Sequence, residues 1–149
     1  MEPKTYHIEL SRQLASPAPE AYAIVEDLEH YPEFMPNVTS IELLESDGNR
    51  KVAAWDTIID DAPLDWIEEG LYDDERMLIK FRSLEGVFDR FDGFWQVTAE
   101  EEGSRVSFEL SYELGLPEIE EIVGPILRER MIENVESMLD AIEKRAESE

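Results

Sequence analysis

The C-terminal stretch from Leu116 to Arg145 constrains this chain more than any other. Its apolar residues fall at Ile119, Ile122, Val123, Ile126, Leu127, Met131, Val135, Met138, Leu139 and Ile142. Steps of three and four place them on one stripe of an α-helix. Pro117 suits the first turn, where its missing N–H has no partner to lose. At 1.5 Å per residue such a helix runs roughly 40 Å. Gly124-Pro125 interrupts the pattern early and predicts a kink, because an internal proline removes a backbone hydrogen bond. A long helix with one apolar face needs a wide apolar surface to lie against, and the rest of the chain must supply it.

The preceding residues change period from helical to strand-like. Thr5 to Ala15 alternates around Tyr6, Ile8, Leu10 and Leu14 and predicts a strand. Ser16 can cap a helix with Glu20 in its first turn and Ala21, Tyr22, Ile24, Val25 and Leu28 on its apolar face. That helix ends at Glu29-His30, since Pro32 disfavours helical geometry just before it. Tyr31 to Pro36 is a short, stiff, apolar turn. Six further strands are expected at Val38–Glu45, Arg50–Ile59, Leu64–Tyr72, Arg76–Leu84, Val87–Ala99 and Arg105–Leu114. Turn residues separate them, among them Ser46-Asp47-Gly48-Asn49 and Glu100-Glu101-Glu102-Gly103. In the last strand Val106, Phe108, Leu110, Tyr112 and Leu114 alternate with polar residues, as one buried and one wet face require. The expected fold is α+β: one domain over residues 1–149, a curved seven-stranded antiparallel sheet wrapped around the final helix.

Charge and composition narrow the partners. The formal net charge is −24, and lysine occurs only at Lys4, Lys51, Lys80 and Lys144. Nucleic acid and anionic membrane surfaces both attract clustered cations, so neither is an expected partner. The chain has no cysteine, which removes thiol catalysis and disulfides. No apolar run approaches the ~20 residues of a membrane span, and Met1 to Thr5 carries no signal-peptide pattern, so a cytoplasmic protein is expected. The acidic, lysine-poor composition suits a salt-rich cytoplasm, where screening relieves self-repulsion, or an ordinary acidic protein.

No recognisable motif names a reaction. There is no phosphate loop, nucleophile elbow or zinc-binding histidine pair. His7 and His30 have no metal partner at a repeated spacing, so neither a metal nor a cofactor is expected. Glu68-Glu69 and Glu100-Glu101-Glu102 read as solvated faces and turn tips. Large apolar groups instead recur across adjacent strands: Trp55, Trp66, Phe81, Phe88, Phe91, Phe94, Trp95, Phe108 and Tyr112. Phe34 and Met35 from the short turn, with Met77, Met131, Val135 and Met138, can complete the wall of a ligand cavity. Strand parity puts Phe91, Gly93 and Trp95 on one face, and Phe88, Arg90, Asp92 and Phe94 on the other. Gly93 predicts a bulge or a close backbone approach. With a bulge, Arg90 turns inward towards Glu68, which shares a face with Trp66; without one, Arg90 pairs with Asp89 or Asp92 at the surface.

Three stretches resemble a known superfamily: Tyr31-Pro32-Glu33-Phe34-Met35-Pro36, Ser83 through Trp95, and Glu133-Asn134-Val135-Glu136-Ser137-Met138-Leu139. With the element order, they are similar to the helix-grip fold of START-like domains, in the polyketide cyclase/dehydrase and lipid-transport branch. Coenzyme Q-binding proteins, ribosome-association toxins and aromatic polyketide aromatase/cyclases belong to that branch. The resemblance implies an apolar cavity between sheet and helix for a quinone, lipid or polyketide, with no metal or nucleotide. It implies a carrier or chaperone first, then a polyketide cyclase/dehydratase, then a translation-modulating interaction protein. The cyclases resemble a pattern of tryptophan followed at alternate positions by serine and arginine. Here Trp66 is followed by Glu68 and Gly70, so any arginine role would fall to Arg90.

Overall fold

A computed structural model describes residues 4–59, 61–114 and 117–148. Strand β1 (Tyr6–Leu14) leads into α1 (Ala18–Glu26), a single 3-10 turn and the short α2 (Tyr31–Phe34). Six strands follow: β2 (Val38–Asp47), β3 (Arg50–Ile59), β4 (Ala62–Asp73), β5 (Leu78–Gly86), β6 (Arg90–Glu100) and β7 (Gly103–Glu113). Helix α3 (Pro117–Glu147) closes the chain. The strands form one antiparallel sheet in the order β1-β7-β6-β5-β4-β3-β2. The meander from β2 to β7 comes from short hairpins, and β1 joins the far edge beside β7. This is the expected curved sheet with its long C-terminal helix.

Alternation aims one side chain in two at the helix. Tyr6 and Ile8 on β1, Val106, Phe108, Leu110 and Tyr112 on β7, and Phe91, Trp95 and Val97 on β6 are all buried. The sheet bends sharply enough at Gly93 that a Cβ there would lie 1.9 Å from the Glu109 carbonyl oxygen. The β6–β7 register runs without a break through this point, so Gly93 marks a close approach and not a bulge. Side-chain ties hold the helix in the curve. Arg12, on the inner face of β1, donates to Asp140 at 2.7 Å and to Glu143 at 3.1 Å. Asn37, just before β2, donates to Asn134 at 2.9 Å.

Helix α3 runs through Gly124-Pro125 as one assigned helix, with Pro125 inside it. Its apolar stripe is buried only from Met131 onward, through Val135, Met138, Leu139 and Ile142. Ile122 and Ile126 are 73% and 57% exposed, because the sheet does not reach over that half of the helix. Leu116 and the side chain of Ile119 lie outside the described residues, as does Asp60.

Strand boundaries moved where backbone geometry overrode the pattern. Met77 has φ 53° and belongs to the turn before β5, so it does not continue the face of Ile79 and Phe81. Val87, Phe88 and Asp89 precede β6, which frees Phe88 from strand parity. Its ring is buried against Phe91 at 5.1 Å and Tyr112 at 5.4 Å.

Candidate functional site

The antiparallel register sets Trp55 on β3 opposite Trp66 on β4, and their rings stack at 5.3 Å and 13°. Tyr31 of α2 meets Trp55 edge-on at 5.7 Å. Trp66 contacts Phe91 at 5.4 Å, Phe91 contacts Phe81 at 6.0 Å, and Phe81 stacks on Phe108 at 5.7 Å. Trp95 completes the belt, edge-on to Phe108 at 4.7 Å. Such pairs add about 0.5–1.5 kcal/mol each beyond their burial, so this wall is stiff.

Between the belt and the helix lies a cavity of about 50 Å³. Sequence candidates Trp55, Trp66, Glu68, Phe81, Phe91, Trp95, Phe108, Met131, Val135 and Met138 line it, with Val38, Thr57, Ile59, Leu110 and Asn134. By this measure one water needs about 10–15 Å³, so the space is far smaller than a quinone or polyketide. Beside it, an open apolar groove of about 260 Å³ runs between the β3–β4 turn and Val123, Ile126 and Leu127 of α3. Ile59 borders both spaces.

Among the described residues, Glu68 is the one carboxyl in the cavity wall. It accepts a hydrogen bond from the Trp66 indole N–H at 3.1 Å. Desolvation pushes its carboxyl up to about 8, against which the Trp66 bond is the lesser, opposing effect. The phenols of Tyr31 and Tyr72 lie in its electrostatic neighbourhood and are themselves raised by burial. Thr57 donates to the Leu64 carbonyl at 2.7 Å, and Asn134 reaches the Met138 sulfur at 3.9 Å. Trp55 differs: its buried indole N–H has no hydrogen-bond partner among the described residues.

Several candidates sit elsewhere. Arg90 is exposed; it donates to Asp92 at 2.7 Å and lies 3.8 Å from Glu113. Without a bulge in β6, Arg90, Asp92 and Glu113 share the outer face, and the inward pairing with Glu68 does not form. Phe34 packs edge-on against Tyr31 at 6.0 Å, under the Arg145 guanidinium at 5.0 Å. Met35 is core. Tyr112 is fully buried and stacks on Tyr6 at 5.2 Å, away from the cavity lining. Glu69 is not a solvated face: only 8% exposed, it lies on the outer side between Arg50 at 2.7 Å and Arg82 at 2.8 Å. Those two guanidiniums hold its carboxyl below the ordinary range.

Asn134 and Thr57 were missed as lining residues, though both carry a signal. Asn134 stands three residues after Met131 and four before Met138, on one helix face, and Thr57 shares strand parity with Trp55. The sheet also gives His7 neighbours that its spacing hid. Its side chain, with those of Glu9 and Glu109, could present three ligand atoms within 4.8 Å of one another on the exposed outer face.

This geometry is the helix-grip fold, a curved antiparallel sheet closed on a long C-terminal helix, as in START-like proteins. More specifically, residues 14–139 match the model of the family described as polyketide cyclase/dehydrase and lipid transport, and the chain belongs to that family. TTHA0849 from Thermus thermophilus is 32% identical, covering 96% of this chain and 98% of its own, with a TM-score of 0.89. The Zhui aromatase/cyclase from Streptomyces sp. R1128 shares the fold at 17% identity, with 97% and 94% coverage and a TM-score of 0.89. A START superfamily protein from Mycobacterium smegmatis does so at 20% identity, with 95% and 97% coverage and a TM-score of 0.81. No curated protein matches the chain by sequence. Membership of the family supports hydrophobic-ligand binding or polyketide cyclisation, without selecting between them. No described helix is long and apolar enough to cross a membrane.

Proposed function

We propose that the protein binds a hydrophobic small molecule between its sheet and C-terminal helix, as a carrier or chaperone. An isoprenoid quinone, a lipid or a polyketide is the ligand class. The observation that carries this reading is the wall itself: a continuous belt of tryptophan and phenylalanine facing two methionines and a valine of α3. Ligand pockets are lined by apolar and aromatic groups with a few placed polar ones, and Glu68, Thr57 and Asn134 are those few here. The enclosed 50 Å³ must grow on binding. Met131 and Met138 are the flexible part of the wall, and the groove past Ile59 gives the ligand room to extend. Organic extraction of purified protein, followed by mass spectrometry, should recover a bound quinone, lipid or polyketide. Protein that yields none and takes up none on incubation removes the carrier reading.

Glu68 favours a second reading, polyketide cyclisation or dehydration. A carboxyl near pKa 8 in an apolar cavity holds its proton at neutral pH, so it can donate to a ligand ketone and later take a proton back. Arg90 has no part in this, since it stands outside the cavity. Incubation with a poly-β-ketone thioester should then give cyclised product from the wild type and much less from Glu68→Gln. Equal product from both proteins removes Glu68 as the acid.

A further inference from the structure

The belt that makes the cavity apolar also leaves one polar atom unserved. Trp55 is only 7% exposed, it lines the cavity, and its indole N–H has no partner among the described residues. Buried donors are nearly always paired, and this one, covered in the closed cavity, comes within reach of a ligand acceptor as the cavity opens to admit a ligand. Its neighbours define what that acceptor can be. Trp66 stacks on the Trp55 ring, and the Trp66 N–H is already committed to Glu68 at 3.1 Å. Glu68 and Trp55 both line the cavity, and each contacts Trp66. Among the described residues no lysine or arginine lines this cavity; Arg130 lines the adjoining groove, beyond Ile59, so an anionic group at the Trp55 end has no counter-charge in the cavity wall. A cationic ligand could pair with Glu68, but its own donors would face the Trp55 donor. A neutral carbonyl oxygen meets both conditions: it accepts from an N–H and needs no counter-charge.

We infer that the ligand is an uncharged molecule with a carbonyl oxygen, which accepts a hydrogen bond from the Trp55 indole N–H beside the Glu68 carboxyl. This rests on the proposed binding of a hydrophobic ligand and adds a selection rule to it: neutral ketones and quinones are bound, and hydrocarbons and free acids are discriminated against. Filling an otherwise unpaired buried donor corresponds to roughly a tenfold preference or more.

Matched probes test it: naphthalene, 2-acetylnaphthalene and 2-naphthoate, measured by equilibrium dialysis against the wild type and Trp55→Phe. The wild type should hold the ketone at least about tenfold more tightly than naphthalene. In Trp55→Phe the ratio of ketone to naphthalene affinity should fall to about twofold, whatever the change in the two absolute affinities. Because Trp55 is a core residue, a second readout uses the unmodified protein. It has three tryptophans, so three indole N–H signals are expected by ¹⁵N NMR. The Trp55 signal should move downfield with the ketone and much less with naphthalene. Ketone and naphthalene binding equally, with the Trp55 signal moving alike for both, overturns the inference and leaves hydrophobic binding intact. Tightest binding of 2-naphthoate overturns it too. Binding of none of the probes removes the hydrophobic-ligand reading itself.

Discussion

Glu68 should leave a measurable pH signature on stability, testable by Glu68→Gln. In the folded protein the carboxyl titrates near 8, against an ordinary 4.5 once unfolding returns it to water. The folded-state pKa is the higher one. Below the unfolded value both states are protonated and burial carries no ionisation cost. Between about pH 4.5 and 8 the unfolded chain releases the proton and the folded chain keeps it, so stability declines as pH rises. The slope is about 1.4 kcal/mol per pH unit, which over this interval accumulates to roughly 5 kcal/mol. Glutamine keeps an oxygen for the Trp66 N–H and has no proton to lose. Urea unfolding of both proteins at pH 5, 6, 7, 8 and 9 should show the variant gaining on the wild type at each step. The gain should level off above pH 8. Two parallel stability curves would mean an ordinary, hydrated Glu68, and the account of the cavity as a desolvated space would fail with it.

Two further outcomes follow from the fold. Gly93→Ala should destabilise the protein by about 1–3 kcal/mol in urea unfolding, because the new methyl meets the Glu109 backbone, which cannot rotate aside; an unchanged midpoint would show that β6 and β7 part easily. With a net charge of −24, the melting temperature should climb between low and molar KCl as screening relieves self-repulsion, and a flat profile removes the salt-adapted reading.

Most of the fold was legible because its elements obey simple periods. β7 alternates cleanly over its whole length, and the C-terminal half of α3 buries every residue its stripe assigned inward from Met131 to Ile142. The errors came where a period stopped applying. Phe88 sits before β6 begins, so parity assigned it to the wrong side, and Met77 occupies a left-handed turn that no alternation reveals. Long-range partners were the harder part. Adjacent glutamates at 68 and 69 look alike in sequence but face opposite sides of β4. One meets the Trp66 indole and the cavity; the other meets two arginines contributed by β3 and β5. Arg90 depended on a bulge, and only the β6–β7 register could decide it.

The revised picture of α3 bears directly on how a ligand could fit. The apolar stripe runs the length of the helix in sequence, yet Ile122 and Ile126 stay exposed while Met131, Val135 and Met138 pack. The apolar stretch left uncovered adjoins the 260 Å³ groove, and Ile59 separates that groove from the 50 Å³ cavity. A small inner space and an uncovered helix face are therefore two views of one arrangement. The sheet grips the C-terminal half of the helix and leaves the other half facing the β3–β4 turn. A ligand with a compact polar head fits this division: its head would sit between the stacked tryptophans and α3, and its apolar remainder would pass Ile59 to cover Val123 and Ile126. Covering those side chains contributes about 25 cal/mol per Å² of apolar surface removed from water, and that gain offsets the cost of moving Met131 and Met138 aside.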